Sequence, residues 1–131
     1  MHNFDDAKSW VTFAQRDYDV AVHLSKTFHP MPIENICYNC QQAVEKALKA
    51  VLIYFTDDCP KTHDIGSLHK LCKEYSTEIE LTTSIARTLT RFATKSRYPD
   101  DVNDFTEADT VLGLKYAGQI LEQVGKILTG E

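Results

Sequence analysis

The chain has 131 residues, 43% of them apolar and 25% charged, and a formal net charge of −5 at pH 7. This length and composition are typical of one globular domain over residues 1–131, and the acidic balance argues against nonspecific binding of nucleic acid. The sequence lacks the ~18 uninterrupted apolar residues of a membrane span and the start of a secretion signal, so we expect a cytoplasmic protein with no membrane partner.

The first predicted helix covers about residues 6–28 and ends before Pro30. Apolar residues recur there at intervals of three and four, with one carboxylate among them. The stripe consists of Trp10, Phe13, Ala14, Asp17, Ala21, Leu24 and Phe28. A buried carboxylate without a partner costs several kcal/mol, so we expect Asp17 to pair with Lys46 or Arg97. Asp17 as part of a polar pocket is the alternative.

A second long helix is predicted over about residues 33–55, which are rich in alanine and lysine and free of glycine and proline. One face of this helix is polar. It carries Gln42, Glu45, Lys46 and Lys49 at helical spacing. Two interpretations stay open: a face in contact with solvent, or the wall of a ligand pocket or of a dimer interface.

Cys37 and Cys40 form a CxxC pair within the second predicted helix. Zinc modules usually have two such tight pairs, each on a turn, and the second pair is missing here. We therefore interpret both residues as small buried apolar side chains, with zinc binding as the alternative.

The segment Lys61-Thr62-His63-Asp64 precedes a shorter third helix, whose apolar positions begin at Ile65. A histidine directly before a helix usually caps backbone groups or packs against neighbours. Catalysis by His63 is the alternative interpretation.

The fourth predicted helix has apolar positions from Leu81 to Phe92 and ends at Arg97-Tyr98-Pro99, and it carries the basic residues of the chain's most cationic stretch. Residues 81–98 contain no acid, whereas residues 99–109 contain five acids and no base. Four-residue spacing places the basic side chains in one row, with further polar residues just beyond. These residues are Arg87, Arg91 and Lys95, followed by Arg97 and Tyr98. The row either binds phosphate or pairs with the acidic stretch.

Thr106 and Asp109 have the spacing of a capping box, which predicts a last helix whose apolar positions run from Val111 to Leu128. Strand-like alternation is absent and the connections are short or moderate. We therefore predict an all-α, up-and-down bundle of four to five helices. The chain has no glycine-rich phosphate loop and no nucleophile-elbow or zinc-protease motif, so no cofactor and no metal is expected.

Several segments, in their order and spacing, resemble a HEPN domain over about residues 8–128. They are Trp10 with Asp17-Tyr18 and Ala21, the run from Cys40 to Ala50, Pro60-Lys61-Thr62-His63-Asp64-Ile65 with Leu68, and Arg97-Tyr98-Pro99-Asp100. The chain is also similar to the C-terminal helical domain of aminoglycoside nucleotidyltransferases. The resemblance implies a helical bundle that is commonly a homodimer and that is often encoded beside a minimal nucleotidyltransferase, in some cases as a toxin–antitoxin pair.

Ribonuclease members of this family carry an arginine followed, after four to six residues, by a histidine late in the bundle. This chain departs from that pattern, because no histidine follows Arg87, Arg91 or Arg97. Arg16 and His23 have the spacing but lie in the first predicted helix, so we interpret that match as coincidental.

The sequence and the resemblance therefore predict a noncatalytic module that binds a nucleotide, a nucleotidyltransferase partner, or both. The predicted phosphate contacts are Arg87, Arg91, Lys95 and Arg97, with Gln42, Lys46, Lys49 and His63 as further pocket residues and Asp17, Glu45, Tyr98 and Asp100 as structural polar residues. One alternative is a metal-independent ribonuclease toxin acting on RNA, with His63 as proton shuttle and Arg97 as phosphate clamp. Another is a scaffold that pairs only with itself or with a partner protein.

Overall fold

The computed structural model describes residues 3–95 and 105–130, except for the side chains of Thr94 and Lys95. Within these ranges the chain forms five helices and no strand, which confirms the predicted all-α fold. The helices are α1 (Phe4–Thr27), α2 (Ile33–Thr56), α3 (Ile65–Cys72), α4 (Thr83–Lys95) and α5 (Glu107–Thr129).

The four long helices alternate in direction. The start of α1 meets the end of α2, where Asn3 N donates to Tyr54 O at 3.1 Å. Gly113, near the start of α5, lies so close to Cys40 and Phe92 that a Cβ on it would sit 3.2 Å from the Cβ of Cys40 and 3.4 Å from the Phe92 ring. The end of α4 and the starts of α2 and α5 are therefore at one end of the bundle, which is the predicted up-and-down order.

Alanines form the buried stripe of α1, which makes its most extensive contact with α2. Ala7, Ala14 and Ala21 recur every seven residues and are fully buried. The predicted stripe also included Phe13 and Phe28, and this part was wrong, since both rings are half-exposed. An alanine seam lets two helices approach closely, and larger side chains then lie at its edges.

The hydrophobic core is centred on α2, which packs against α1, α3, α4 and α5. Its Cys37 and Cys40 side chains belong to that core. None of the helices in the described ranges combines the length and hydrophobicity that a membrane span requires.

Candidate functional site

A cluster of charged side chains is buried along one row of α2. Gln41, Glu45 and Lys49 follow one another at four-residue intervals, so their side chains are neighbours on the helix. Gln41 Nε2 donates to Glu45 Oε1 at 2.8 Å, and Lys49 Nζ donates to Glu45 Oε2 at 3.1 Å. The Glu45 and Lys49 side chains are each only 7% exposed. With His63, these three residues form what we call the carboxylate cluster.

His63 reaches this cluster from the loop before α3. Its Nδ1 lies 3.0 Å from Glu45 Oε2, while the side chain is 76% exposed. Burial acts to raise the pKa of Glu45, but hydrogen bonds to its carboxylate and the charge of Lys49 outweigh burial and hold that pKa below its ordinary value. An ionised carboxylate accepts a hydrogen bond from Nδ1–H, which leaves Nε2 as the nitrogen that can exchange protons with a ligand.

Acid is expected to destabilise the fold through Glu45. Because the pKa of Glu45 is lower in the folded chain, its stabilising contribution is present above the unfolded-state value of 4.5 and is lost as pH falls through the folded-state value. Urea unfolding between pH 3 and pH 7 should show a smaller loss of stability on acidification for Glu45→Gln than for the wild type. Equal losses in the two proteins would contradict this assignment.

A second polar feature is an open groove between α3 and α4, with a volume of about 700 Å³. Lys70 and Lys73 line it from the α3 side, and Arg87 and Arg91 line it from α4. Among the described residues of its lining, Asp64 is the one carboxylate. We call this feature the α3–α4 groove.

The carboxylate of Asp64 is already used within the fold. As the N-cap of α3, its Oδ2 accepts from Ser67 N at 3.2 Å and from Ser67 Oγ at 2.5 Å. Its Oδ1 accepts from Thr90 Oγ1 at 3.3 Å. The hydrogen bond from the Ser67 hydroxyl is the main cause that lowers the pKa of Asp64. Both oxygens of the groove's carboxylate are therefore occupied by hydrogen bonds that hold α3 and α4 in place.

Three of the four cations that line the groove have no ion pair within the described part of the chain. Lys70, Lys73 and Arg87 are exposed, and none of them has an ion pair with another residue of the described ranges. Arg91 is half-buried, with its guanidinium carbon 5.2 Å from the centroid of the Phe105 ring. α4 contributes no opposing charge, since its sequence contains no acid.

The structure separates the residues that the sequence placed in one pocket. Arg87 and Arg91 line the α3–α4 groove, whereas Lys49 and His63 bind Glu45. The remaining predicted residues of α2 have partners elsewhere: Lys46 Nζ donates to Asp17 Oδ2 at 2.7 Å and Gln42 Nε2 donates to Tyr38 OH at 2.9 Å. Lys46 is thus one of the two partners expected for Asp17.

Four predicted positions cannot be placed in either feature. The side chain of Lys95 and the residues Arg97, Tyr98 and Asp100 lie outside the part of the chain that the structure describes. Their predicted phosphate-binding and structural roles stay predictions.

Sequence reasoning missed Lys70 and Lys73. Lys70 lies in the last turn of α3 and Lys73 is its C-cap, and only the packing of α3 beside α4 brings them to the groove of Arg87. The available signal was the polar face of α3, which alone does not show which helix lies next to it.

Cys37 and Cys40 show the chemistry of buried thiols. Burial raises the pKa of each to about 12, which keeps the thiols protonated near neutral pH. Among the described residues, no group of three or more metal-ligating side chains is placed to hold an ion.

Comparison with known proteins gives one family and a shared fold. A family model described as HEPN domain matches residues 7–128. The crystal structure of TT1696 from Thermus thermophilus is similar to this chain, with 21% identity, a TM-score of 0.72, and coverage of 92% of this chain and 96% of that one. ST0689, described as an archaeal HEPN homologue, has 24% identity, a TM-score of 0.64, and coverage of 93% and 97%. No curated protein matches the chain.

Proposed function

The chain belongs to the HEPN domain family, and we propose that it is a noncatalytic member whose α3–α4 groove binds the phosphates of a nucleotide. The observation that carries this proposal is the set of cations in the groove. Lys70, Lys73, Arg87 and Arg91 line one concave surface, and the single carboxylate among the described lining residues is already engaged in hydrogen bonds.

Electrostatics explains why a local cationic groove matters in an acidic protein. The net charge of −5 repels a long polyanion, but a concave patch of one sign concentrates the field and attracts a small anion. Phosphate oxygens accept charge-assisted hydrogen bonds from lysine and arginine, which are stronger than bonds between neutral groups. A phosphate-bearing small ligand therefore fits both the local and the overall charge.

The proposal extends to a protein partner, on the basis of the family resemblance. We propose that the chain forms a homodimer and pairs with a minimal nucleotidyltransferase in a toxin–antitoxin-type system. Light scattering of the purified protein tests the dimer. A gene for a nucleotidyltransferase next to the one for this chain, and copurification of the two products, would support the pairing.

Arg87→Glu is expected to weaken nucleotide binding by about tenfold or more, since it removes a charge-assisted hydrogen bond and adds a repulsive carboxylate. Isothermal titration calorimetry with ATP measures the effect. Arg16→Glu is the matched control, because Arg16 is exposed on α1, contacts Phe13, and does not line the groove. The control changes the net charge by the same amount and should retain wild-type affinity.

Two results would contradict nucleotide binding at the groove. One is an absence of heat from ATP titrated into the wild type, both with and without Mg²⁺. The other is an equal loss of affinity in Arg87→Glu and Arg16→Glu, which would assign the attraction to overall charge.

One observation favours the ribonuclease alternative. The exposed imidazole of His63 is oriented by an ionised, buried Glu45, an arrangement that suits general acid–base chemistry. Incubation of labelled RNA with the wild type, His63→Ala and His23→Ala tests it, since His23 is exposed on α1. Cleavage that His63→Ala abolishes and His23→Ala retains would replace the noncatalytic proposal. We expect no cleavage by any of the three proteins.

A further inference from the structure

The cations of the α3–α4 groove are arranged in two rows. Arg87 and Arg91 are four residues apart on α4, so they are separated by about 6 Å along the helix axis. Lys70 and Lys73 line the opposite side, from the last turn and the C-cap of α3. Positive charge is thus distributed along the groove and on both of its walls. This distribution suits several linked phosphates better than a single one.

The uncharged lining of the groove is rich in hydroxyl groups. These groups belong to Ser67, Thr82, Thr83 and Thr90. The apolar side chains of the described lining are Leu81 and the smaller Ala86. Among the described residues that line the groove, none has an amide side chain, and the one aromatic ring is the imidazole of His69, which is buried with its Nε2 2.9 Å from Ile79 O. Proteins commonly select a base by stacking it on aromatic rings and by hydrogen bonds from amide or carboxylate groups. The hydroxyls of Ser67 and Thr90 already donate to Asp64. The described lining therefore offers phosphate its four cations and the hydroxyls of Thr82 and Thr83, and it offers few contacts to a base.

The groove also has no free carboxylate among its described residues with which to hold a Mg²⁺ ion on the ligand. Both oxygens of Asp64 accept hydrogen bonds, from Thr90 and from Ser67. Mg²⁺ bound to a triphosphate occupies oxygens and neutralises charge that the lysines and arginines would otherwise contact. The ion would then compete with the protein for the ligand.

We propose that the α3–α4 groove recognises a chain of two or more phosphates, does not distinguish the attached base, and binds the magnesium-free form more tightly. This inference rests on the proposed function, which it makes more specific. The ligand class is a nucleoside di- or triphosphate, or an inorganic polyphosphate of similar length.

Isothermal titration calorimetry with a ligand series tests the proposal. In EDTA, ATP, GTP, UTP and sodium tripolyphosphate should bind with affinities within about threefold of one another, and AMP should bind about tenfold or more weakly, because it loses charge-assisted hydrogen bonds. Excess Mg²⁺ should weaken ATP binding severalfold. Lys73→Glu should lower the affinity for tripolyphosphate, while Lys115→Glu, on α5 outside the groove, should not.

The outcomes separate this inference from the proposed function. If Arg87→Glu weakens ATP binding but tripolyphosphate does not bind, the base or sugar carries recognition, and only the inference is overturned. A preference of more than about tenfold for one base, or tighter binding with Mg²⁺, overturns it equally. If no ligand of the series binds, both proposals fail. Equal effects of Lys73→Glu and Lys115→Glu would show a general attraction to charge and overturn the inference.

Discussion

Replacing Glu45 by glutamine is expected to lower the free energy of unfolding by about 3–5 kcal/mol, the usual cost of removing one partner of a buried ion pair. The substitution leaves the side chain of Lys49 only 7% exposed and removes the carboxylate that accepts a hydrogen bond from its ammonium group at 3.1 Å. The amide of Gln41 is affected as well, because its Oε1 is buried without a hydrogen-bond partner among the described residues and its Nε2 donates to Glu45.

The surface of the same protein supplies a matched control. Glu122 and Lys126 form an ion pair with the same four-residue spacing on α5, at 3.5 Å, but the side chain of Glu122 is 71% exposed. Glu122→Gln should therefore cost about 0.5 kcal/mol or less. Urea denaturation followed by circular dichroism measures both variants.

A double variant separates the loss of attraction from the cost of an unpaired charge. Glu45→Met combined with Lys49→Met removes both charges and should be more stable than either single variant, because neither ion remains buried alone. If Glu45→Gln costs no more than Glu122→Gln, the cluster is not a buried ion pair in solution.

Replacing Phe92 by alanine is expected to cost about 3–5 kcal/mol, the range found when a fully buried phenylalanine leaves a cavity. The ring has no exposed surface, and it meets the Phe105 ring edge-to-face with centroids 5.2 Å apart. It also lies beside Gly113, near the start of α5, where an added Cβ would come within 3.4 Å of the ring. This one side chain thus fixes the end of α4 against its neighbours.

Phe13→Ala is the corresponding control for the Phe92 variant. Phe13 is half-exposed on α1, and the guanidinium carbon of Arg16 lies 5.3 Å from its ring centroid. Its loss should cost about 1 kcal/mol or less. Chemical denaturation of the two variants under one set of conditions gives the comparison. Similar losses would mean that the end of α4 is not held by the core.

Phe92 also links stability to the proposed ligand site. α4 carries Arg87 and Arg91, so a looser α4 should hold these side chains less precisely over the groove. Weaker ATP binding by folded Phe92→Ala, measured at a temperature well below its unfolding transition, is the expected consequence.

The sequence by itself was sufficient to predict the helices and the family. Apolar periodicity predicted long helices over about residues 6–28 and 33–55, close to the observed α1 and α2. The capping box at Thr106 and Asp109, with reciprocal hydrogen bonds, marks the start of α5 as predicted. These features are local, since a helix and its caps depend on residues within about one turn of each other.

Only the tertiary structure decided which polar side chains act together. Helical spacing placed Gln42, Glu45, Lys46 and Lys49 on one polar face of α2, but spacing does not show which part of a face a neighbouring element will cover. The fold brought His63 onto Glu45 from 18 residues away and placed Lys46 against Asp17 of α1. It likewise set α3 beside α4 and so completed the groove with two lysines. Contacts of this kind depend on how whole helices pack, and a single helix pattern contains no information about its neighbour.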